Sequence, residues 1–313
     1  MLPNTSAAKF EIHYFLENNQ HYFDALSRLE CEAEFLAILK EVAKHLDIEV
    51  LIDAEALSEG GLRNRWVITT SNQVIAVTGI MTLILLGIQT YNSFPSEQDK
   101  KIKELKIKEL EAKLKSMGVD DEKTSETVTK VLELDKSNKV RKRRSNFYKS
   151  IQQVPKVSHI GFLNLDLENK PIQDEAIIHR EQFNNFILHT DNLPDETFED
   201  ARIEIVAPVL KEGNAKWRGI FKGEMISFNM KDLKFKRDVL AGKYSFQHGT
   251  VIEAVLVNYK ELDEVGEEKV VDRSVIMVIK KVDGASTVET NQGRSYKHMK
   301  KTKLAQQELP LKD

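Results

Sequence analysis

The stretch VIAVTGIMTLILLGI, residues 74–88, decides the predicted architecture. It contains no charged side chain, and no acid or base occurs anywhere between Arg65 and Glu97. With its flanking residues, the run reaches the roughly 20 residues that a helix needs to cross a membrane core about 30 Å thick. The sequence therefore predicts a transmembrane helix over residues 66–95. Its residues include Val74, Gly79, Leu83, Leu86 and Gly87.

A buried core helix is the alternative interpretation of the same run. The membrane is favoured because the segment is apolar on all sides and shows no amphipathic face. Gly79 and Gly87 lie on one helical face, where small residues permit close approach of helices, which points to a homo-oligomer. The lysines after the run predict an inner-membrane location with the C-terminal domain in the cytoplasm. A re-entrant insertion with both ends in the cytoplasm stays open.

Upstream of the run, residues 1–65 have the pattern of a small β-α-β unit. KFEIHYFL (9–16) and IEVLIDAEAL (48–57) are typical of strands, and the apolar residues between them recur at helical spacing. So small a unit buries little core by itself. We therefore expect it to pack against other copies or against another part of the chain.

Downstream of the run, residues 96–153 predict a charged helical stalk or linker in which lysines and glutamates interleave. Ile107, Leu110, Leu114 and Met117 fall at the spacing of a short coiled-coil seam. A dense basic cluster near the end is either a solvated helix end or a patch for lipid headgroups or a nucleotide phosphate. Its members are Lys139, Arg141, Lys142, Arg143 and Arg144.

From residue 154 to residue 283 the pattern changes to short strands separated by turn signals, with two short helices. This pattern predicts an antiparallel sheet or small barrel that binds a ligand or a partner. Residues 284–313 are polar and basic and are predicted to be a disordered tail. The chain is therefore expected to be α+β, with a β-α-β unit, one transmembrane-type helix, a helical stalk and a C-terminal domain of strands.

One predicted hairpin carries the residue types that recognise anionic ligands. In KWRGIFKG (216–223) the basic side chains fall on one face by the period of two, and the aromatic side chains fall on the other. Cations hold phosphate and rings stack on bases. The alternative is a half-buried hairpin whose basic face is merely solvated. With the helix that follows, the candidate ligand-binding residues are Lys216, Trp217, Arg218, Phe221, Lys222, Lys234, Lys236 and Arg237.

The sequence contains no strong catalytic motif. It has no phosphate-binding loop, no dinucleotide fingerprint and no paired-cysteine metal signature, since Cys31 is its only cysteine. Neither a metal nor a cofactor is expected. An acidic site formed by Asp200, Glu204 and Glu253 is the weaker, enzymatic alternative. The formal net charge of −3 argues against a protein that coats DNA, and no sequence-specific DNA binding is expected.

Several blocks resemble a group of uncharacterised bacterial membrane proteins of prophages and mobile elements. These blocks are KFEIHYFL (9–16), CEAEFLAIL (31–39), the apolar run, RSNFYKSI (144–151), EIVAPVL (204–210) and KWRGIFKGEMISFNM (216–230). The layout of a sensor domain joined to a membrane helix also resembles membrane effectors of antiphage defence that respond to nucleotide signals.

These patterns together predict an oligomeric bacterial membrane effector without enzymatic activity. Its C-terminal domain is expected to sense an anionic ligand such as a nucleotide, or a partner, and to alter membrane integrity in antiphage defence. The expected partners are membrane lipid, further copies of the chain, and a nucleotide second messenger or signalling protein. Two alternatives stay open: a membrane-anchored nuclease or hydrolase, and a non-catalytic membrane adaptor.

Overall fold

The computed structural model describes residues 5–17, 22–55, 62–71, 74–86, 107–108, 111–112, 114–115 and 121–307. The protein is α+β, and its chain divides into two compact units. The first unit takes in Met1–Thr190 and Glu264–Glu267, and the second takes in Asp191–Asp263 and Glu268–Asp313. Each unit has a hydrophobic core of its own.

The first unit is a five-stranded antiparallel sheet in the order β2-β3-β1-β4-β5, with helices packed on one face. Because β3 lies between β1 and β2, the first strands and α1 form a split β-α-β arrangement rather than a separate small unit. The elements are β1 (Thr5–Leu16), α1 (Ala25–His45), β2 (Val50–Ala54), β3 (Leu62–Ser71), α2 (Val74–Leu86), α3 (Asp121–Lys136), α4 (Asn138–Gln152), β4 (Val157–Leu165), β5 (Ala176–His179) and a 3-10 helix (Arg180–Phe186).

Strand β1 shows how the period of two divides the sheet into two faces. Phe10, Ile12 and Tyr14 are at most 1% exposed and point into the core. The ring of Phe10 lies 5.1 Å from that of Phe35 on α1, centroid to centroid. The alternate residues of β1 are therefore on the face opposite the helices, since successive side chains of a strand point to opposite sides.

The apolar run forms α2, which is the buried centre of the first unit and not a membrane span. The helix has 13 residues, and its side chains from Val77 to Leu85 are at most 2% exposed. It is packed between the sheet and helices α1, α3 and α4. No helix among the described residues is long and apolar enough to cross a membrane, so the prediction of a transmembrane helix is wrong. A helix covered by protein on all sides needs the same all-round apolar surface as one in lipid.

Two polar side chains of α4 satisfy the C-terminal end of α2 inside this core. Arg144 Nη1 donates to the carbonyl oxygen of Ile84 at 2.8 Å, and the hydroxyl of Tyr148 donates to that of Leu85 at 2.7 Å. The carboxylate of Asp135 pairs with Arg144 at 2.6 Å. Because a buried carbonyl group is costly without a hydrogen-bond partner, these contacts lower the cost of burying this part of α2.

The segment predicted to be a stalk belongs to the same core. Leu114 is fully buried, and Ile107 packs against the cluster. Helices α3 and α4 add Val131 and Phe147, both fully buried. The described residues form no clear helical stalk, and this prediction is wrong. Gly87, Leu110 and Met117 lie outside the described residues.

The second unit is a five-stranded barrel with one added strand. Its elements are β6 (Glu196–Ala207), β7 (Trp217–Phe221), β8 (Glu224–Met230), α5 (Leu233–Leu240), β9 (Thr250–Leu262), β10 (Glu268–Asp283), β11 (Ser286–Glu289) and α6 (Asn291–Gln307). The order β6-β7-β8-β10-β9 closes through pairing of β9 with β6, and only β8 and β10 are parallel. A Greek-key barrel with this order, and with a helix between its third and fourth strands, has the topology of the oligonucleotide- and oligosaccharide-binding fold.

Local features fix the hairpin β7-β8 and the end of the chain. Lys222 and Gly223 have φ angles of 52° and 85°, which form the tight two-residue turn that suits the twist of paired strands. After Asp283 the chain pairs β11 with β10 and then forms α6. Part of the segment predicted to be a disordered tail, residues 284–313, is therefore assigned to β11 and α6.

Candidate functional site

The outward surface of β6, β7 and β8, here called the barrel face, combines apolar and basic side chains. It consists of Glu204, Val206, Arg218, Ile220, Met225 and Ser227, with Lys222 at the turn between β7 and β8. Arg218 is opposite Ser227, and Ile220 is opposite Met225. Val206 is the additional residue of a β-bulge, where the register shifts between Ile205 and Ala207. Val206 and Met225 are 50% and 60% exposed, so this face presents apolar surface to water beside its cations.

The cations of the hairpin differ in their surroundings. Arg218 is exposed and makes no ion pair with any residue that the structure describes. Lys222 lies at the turn, with its Nζ 4.3 Å from the ring centroid of Phe198. Lys216 instead pairs with Asp272 at 2.8 Å, and Asn229 donates to the same carboxylate at 2.9 Å.

The Lys216 pair stabilises the ionised form of Asp272. Partial burial acts to raise the pKa of Asp272, but hydrogen bonds from Lys216 and from the Arg273 backbone N–H outweigh it. The pKa of this carboxyl group therefore lies below its ordinary value. The end of the barrel face near Lys216 is thus neutralised by the protein itself, whereas the centre near Arg218 keeps its positive charge.

The other predicted ligand-binding residues are not all on the barrel face. Trp217 is 1% exposed and packs edge-on against Phe246 inside the second core. Phe221 is half-buried, with its ring 5.1 Å from that of Phe198. The remaining three are on α5: Lys234 is exposed, Lys236 donates to the carbonyl of Gly213 at 2.7 Å, and Arg237 donates to that of Leu233.

The basic cluster of α4 is used largely within the first unit. Lys139 pairs with Glu267 at 2.9 Å and Arg143 with Glu34 at 3.1 Å. Lys142 is 6% exposed, and Arg144 is the buried side chain that closes the end of α2. Arg141 is half-buried. The cluster therefore holds α4 in place, and little of its charge faces solvent.

A second charged surface, which sequence analysis did not identify, lies on the first sheet opposite the helices. This polar sheet face consists of Lys9, Glu11, His13, Phe15, Arg63, Arg65, His159 and His179. Glu11 is fully buried and pairs with Arg65 and, at 2.8 Å, with Arg63. Lys9 Nζ pairs with Glu55 at 2.7 Å. The signal in the sequence is the alternation of polar residues in KFEIHYF (9–15) and of arginines in RNR (63–65).

Rings continue the polar sheet face toward β5. His13 and His159 lie on either side of Phe15, with centroid distances of 3.7 and 4.0 Å. Glu175 approaches His13 Nδ1 at 3.2 Å. Burial and the charge of Arg63 lower the pKa of His13, against the opposing effect of Glu175. The imidazole of His13 is therefore neutral over more of the pH range than a solvated one.

Of the three acidic residues of the enzymatic alternative, two make ion pairs and the third lies on the barrel face. Asp200 pairs with Lys300 at 3.1 Å, and Glu253 pairs with Lys280 at 2.7 Å. Glu204 lies on β6 opposite Ile220. Within the described part of the chain, no three His, Cys, Asp or Glu side chains are grouped closely enough to hold a metal ion.

Comparison with known proteins found no matching family model, no matching curated protein and no matching solved structure.

Proposed function

We propose that the second unit binds single-stranded nucleic acid across the barrel face, without sequence specificity. The observation that carries this proposal is Arg218, an exposed guanidinium that has no ion pair among the described residues and lies on the same face as the exposed Val206 and Met225. The barrel topology adds weight because the second and third strands of such barrels are their usual binding surface. Topology alone does not assign a function, so the proposal rests on these side chains.

The two kinds of side chain have separate roles in this proposal. Arg218 and Lys222 contact phosphates, which provides most of the affinity and makes binding fall with salt. Val206, Ile220 and Met225 offer apolar surface against which the faces of unstacked bases are removed from water. Aliphatic contacts of this kind do not distinguish one base from another. The bound strand is therefore selected for being single-stranded and not for its sequence.

The test is fluorescence anisotropy of the full chain with a labelled oligothymidylate at low salt. Arg218→Glu removes a cation from a phosphate and adds a repulsion, so we expect affinity to fall by about tenfold or more. The slope of log K against log salt should shrink by about 0.7 for each phosphate that the variant no longer neutralises. Arg294→Glu is the matched control, because Arg294 is an exposed arginine of the same unit on α6.

Two results would overturn the proposal. One is that the wild-type chain shows no saturable binding of the oligonucleotide. The other is that Arg218→Glu and Arg294→Glu weaken binding equally, since this would mean that only the overall charge of the unit matters. Duplex DNA of the same length, added as a competitor, is expected to displace the single strand poorly.

The hypothesis of an oligomeric effector in antiphage defence stays a prediction, as do the cellular location, the partners and the absence of enzymatic activity. Its sensing step is compatible with the proposal, because a nucleotide ligand carries the same phosphate and base chemistry as a single strand. Competition by free nucleotides in the anisotropy assay shows whether a single nucleotide is enough for binding or a longer strand is required.

A further inference from the structure

Two histidines of the polar sheet face form a pair that the proposed function does not use. His159 on β4 is directly opposite His179 on β5. Residues in such positions project from the same side of a sheet with their Cβ atoms close together. The ring centroids are 5.4 Å apart. His179 is exposed and His159 is half-buried, so the pair is accessible from solvent.

The separation of the rings is that of two ligands sharing one ion. With metal–nitrogen distances of about 2.0–2.1 Å and a tetrahedral angle, two coordinating imidazoles have centroids about 5.2 Å apart. The observed 5.4 Å differs from this value by less than a side-chain rotation changes it. The rings are tilted by 41° and not stacked. The side chain of His179 also accepts from the backbone N–H of Gln182 in a capping box, so an ion bound at that ring nitrogen replaces this hydrogen bond.

Ser158 orients one member of the pair. Its Oγ is 2.9 Å from His159 Nδ1 and donates to the carbonyl oxygen of Phe15 at 3.2 Å. A hydroxyl has one proton. When Ser158 donates that proton to the carbonyl of Phe15, its own oxygen accepts a hydrogen bond from Nδ1–H of His159. The lone pair of the imidazole is then on Nε2. Metal-binding histidines commonly have their other nitrogen held in this way.

Two charged groups near the pair affect how it would hold a cation. Arg180 opposes a cation, but its guanidinium donates to the carbonyl oxygens of Gln152, Val154 and Val157. The Glu175 carboxylate, 3.2 Å from His13 Nδ1, also acts electrostatically on His159 and favours a cation there.

We propose that His159 and His179 bind a divalent transition ion of the Zn²⁺, Ni²⁺ and Cu²⁺ class. Imidazole nitrogens suit these ions, whereas Mg²⁺ and Ca²⁺ prefer oxygen ligands. His13 is not a ligand, because the ring of Phe15 separates it from His159. With no group of three ligating side chains among the described residues, water molecules complete the coordination. The bound ion therefore keeps exchangeable positions.

The test is isothermal titration of the metal-free full chain with NiCl₂ and with ZnCl₂. We expect one saturable ion per chain, and a loss of affinity of about tenfold or more in both His159→Ala and His179→Ala. His179 is exposed but is the N-cap of the 3-10 helix Arg180–Phe186, so unchanged near-UV circular dichroism must first show that His179→Ala keeps the fold. His189→Ala and His248→Ala are the matched controls, since both are exposed histidines that do not belong to the pair.

A third variant checks the orienting role of Ser158. In Ser158→Ala both imidazoles remain, and affinity is expected to fall by less than in the histidine variants. Either of two results overturns the proposal: the wild-type chain takes up no ion in a saturable way, or the His179→Ala variant binds as tightly as the His189→Ala control. Both results leave the nucleic-acid proposal untouched, because it concerns a different unit.

Discussion

The polar sheet face and the barrel face are both strand surfaces with several cations, yet the protein treats the charges differently. In the first unit, Glu11 is fully buried between Arg63 and Arg65. In the second, Arg218 is left in water without an ion pair among the described residues. Charge that is already compensated holds a structure together, whereas charge that is left free is available to a ligand. The position of the nearest carboxylate therefore indicates better than the number of basic residues whether a strand can bind an anionic ligand.

The largest effect that this comparison predicts follows from removing the Glu11 carboxylate. Glu11→Gln keeps the size of the side chain but leaves two arginines facing an uncharged group. Breaking a buried charge group typically costs 3–5 kcal/mol, and because Arg63 is partly exposed we expect about 3 kcal/mol. In contrast, Glu224→Gln, at an exposed position beside the barrel face, should change the free energy of unfolding by no more than about 0.5 kcal/mol.

The two tryptophans allow this measurement to be made one unit at a time. Trp66 is buried in the first core and Trp217 in the second. Urea unfolding followed by Trp66 fluorescence, in a Trp217→Phe background, reports on the first unit alone. If Glu11→Gln and Glu224→Gln had equal small effects on the unit to which each belongs, the distinction between compensated and free charge would not hold.

The next prediction uses the pH dependence of the polar sheet face. The pKa of His13 in the folded protein lies below its ordinary value of 6.5, chiefly because of burial and then Arg63. The unfolded chain therefore binds more protons, and the stability that the neutral imidazole contributes is lost as the pH falls from 6.5 through the lowered pKa. We expect the urea midpoint of the first unit, measured with a chelator present, to fall between neutral and mildly acidic pH.

Replacing His13 tests the origin of this fall. His13→Gln is expected to make the urea midpoint of the first unit less dependent on pH, while His248→Gln, at an exposed position in the second unit, leaves that dependence unchanged. The remaining charged groups near His13 are Glu11 and Glu175, which favour its protonated form and so limit the size of the effect. An unaltered slope in His13→Gln would assign the acid sensitivity to other groups.

How far the sequence determines these surfaces can be judged from particular residues. The alternation in KFEIHYF (9–15) and RNRW (63–66) is enough to predict two strands and the faces of their side chains. It does not predict that Glu11 is adjacent to Arg63 and Arg65, because this pairing joins residues far apart in the chain. Pairings of that range depend on the whole sheet and leave no local pattern.

The apolar run shows a different limit of sequence analysis. Ile80 and Ile84 would be apolar whether their neighbours were lipid tails or the side chains of a sheet, so composition cannot separate the two cases. What does separate them is the protein that covers the helix. Arg144 and Tyr148 donate to the carbonyls of Ile84 and Leu85 from a helix much later in the chain. The apolar run does form a helix, but the helix packs against protein and not against lipid.

The smallest expected effect concerns the paired end of the barrel face. Lys216 and Asp272 resemble the Glu11 group chemically, but they are 46% and 34% exposed. Exposed ion pairs contribute about 0.2–1 kcal/mol, so Lys216→Met should lower the free energy of unfolding of the second unit by less than about 1 kcal/mol. A double-mutant cycle with Asp272→Asn, followed by Trp217 fluorescence in a Trp66→Phe background, isolates the pair from the contacts that Asn229 makes. A coupling as large as that of Glu11 with its arginines would show that solvent exposure does not set the strength of these charges.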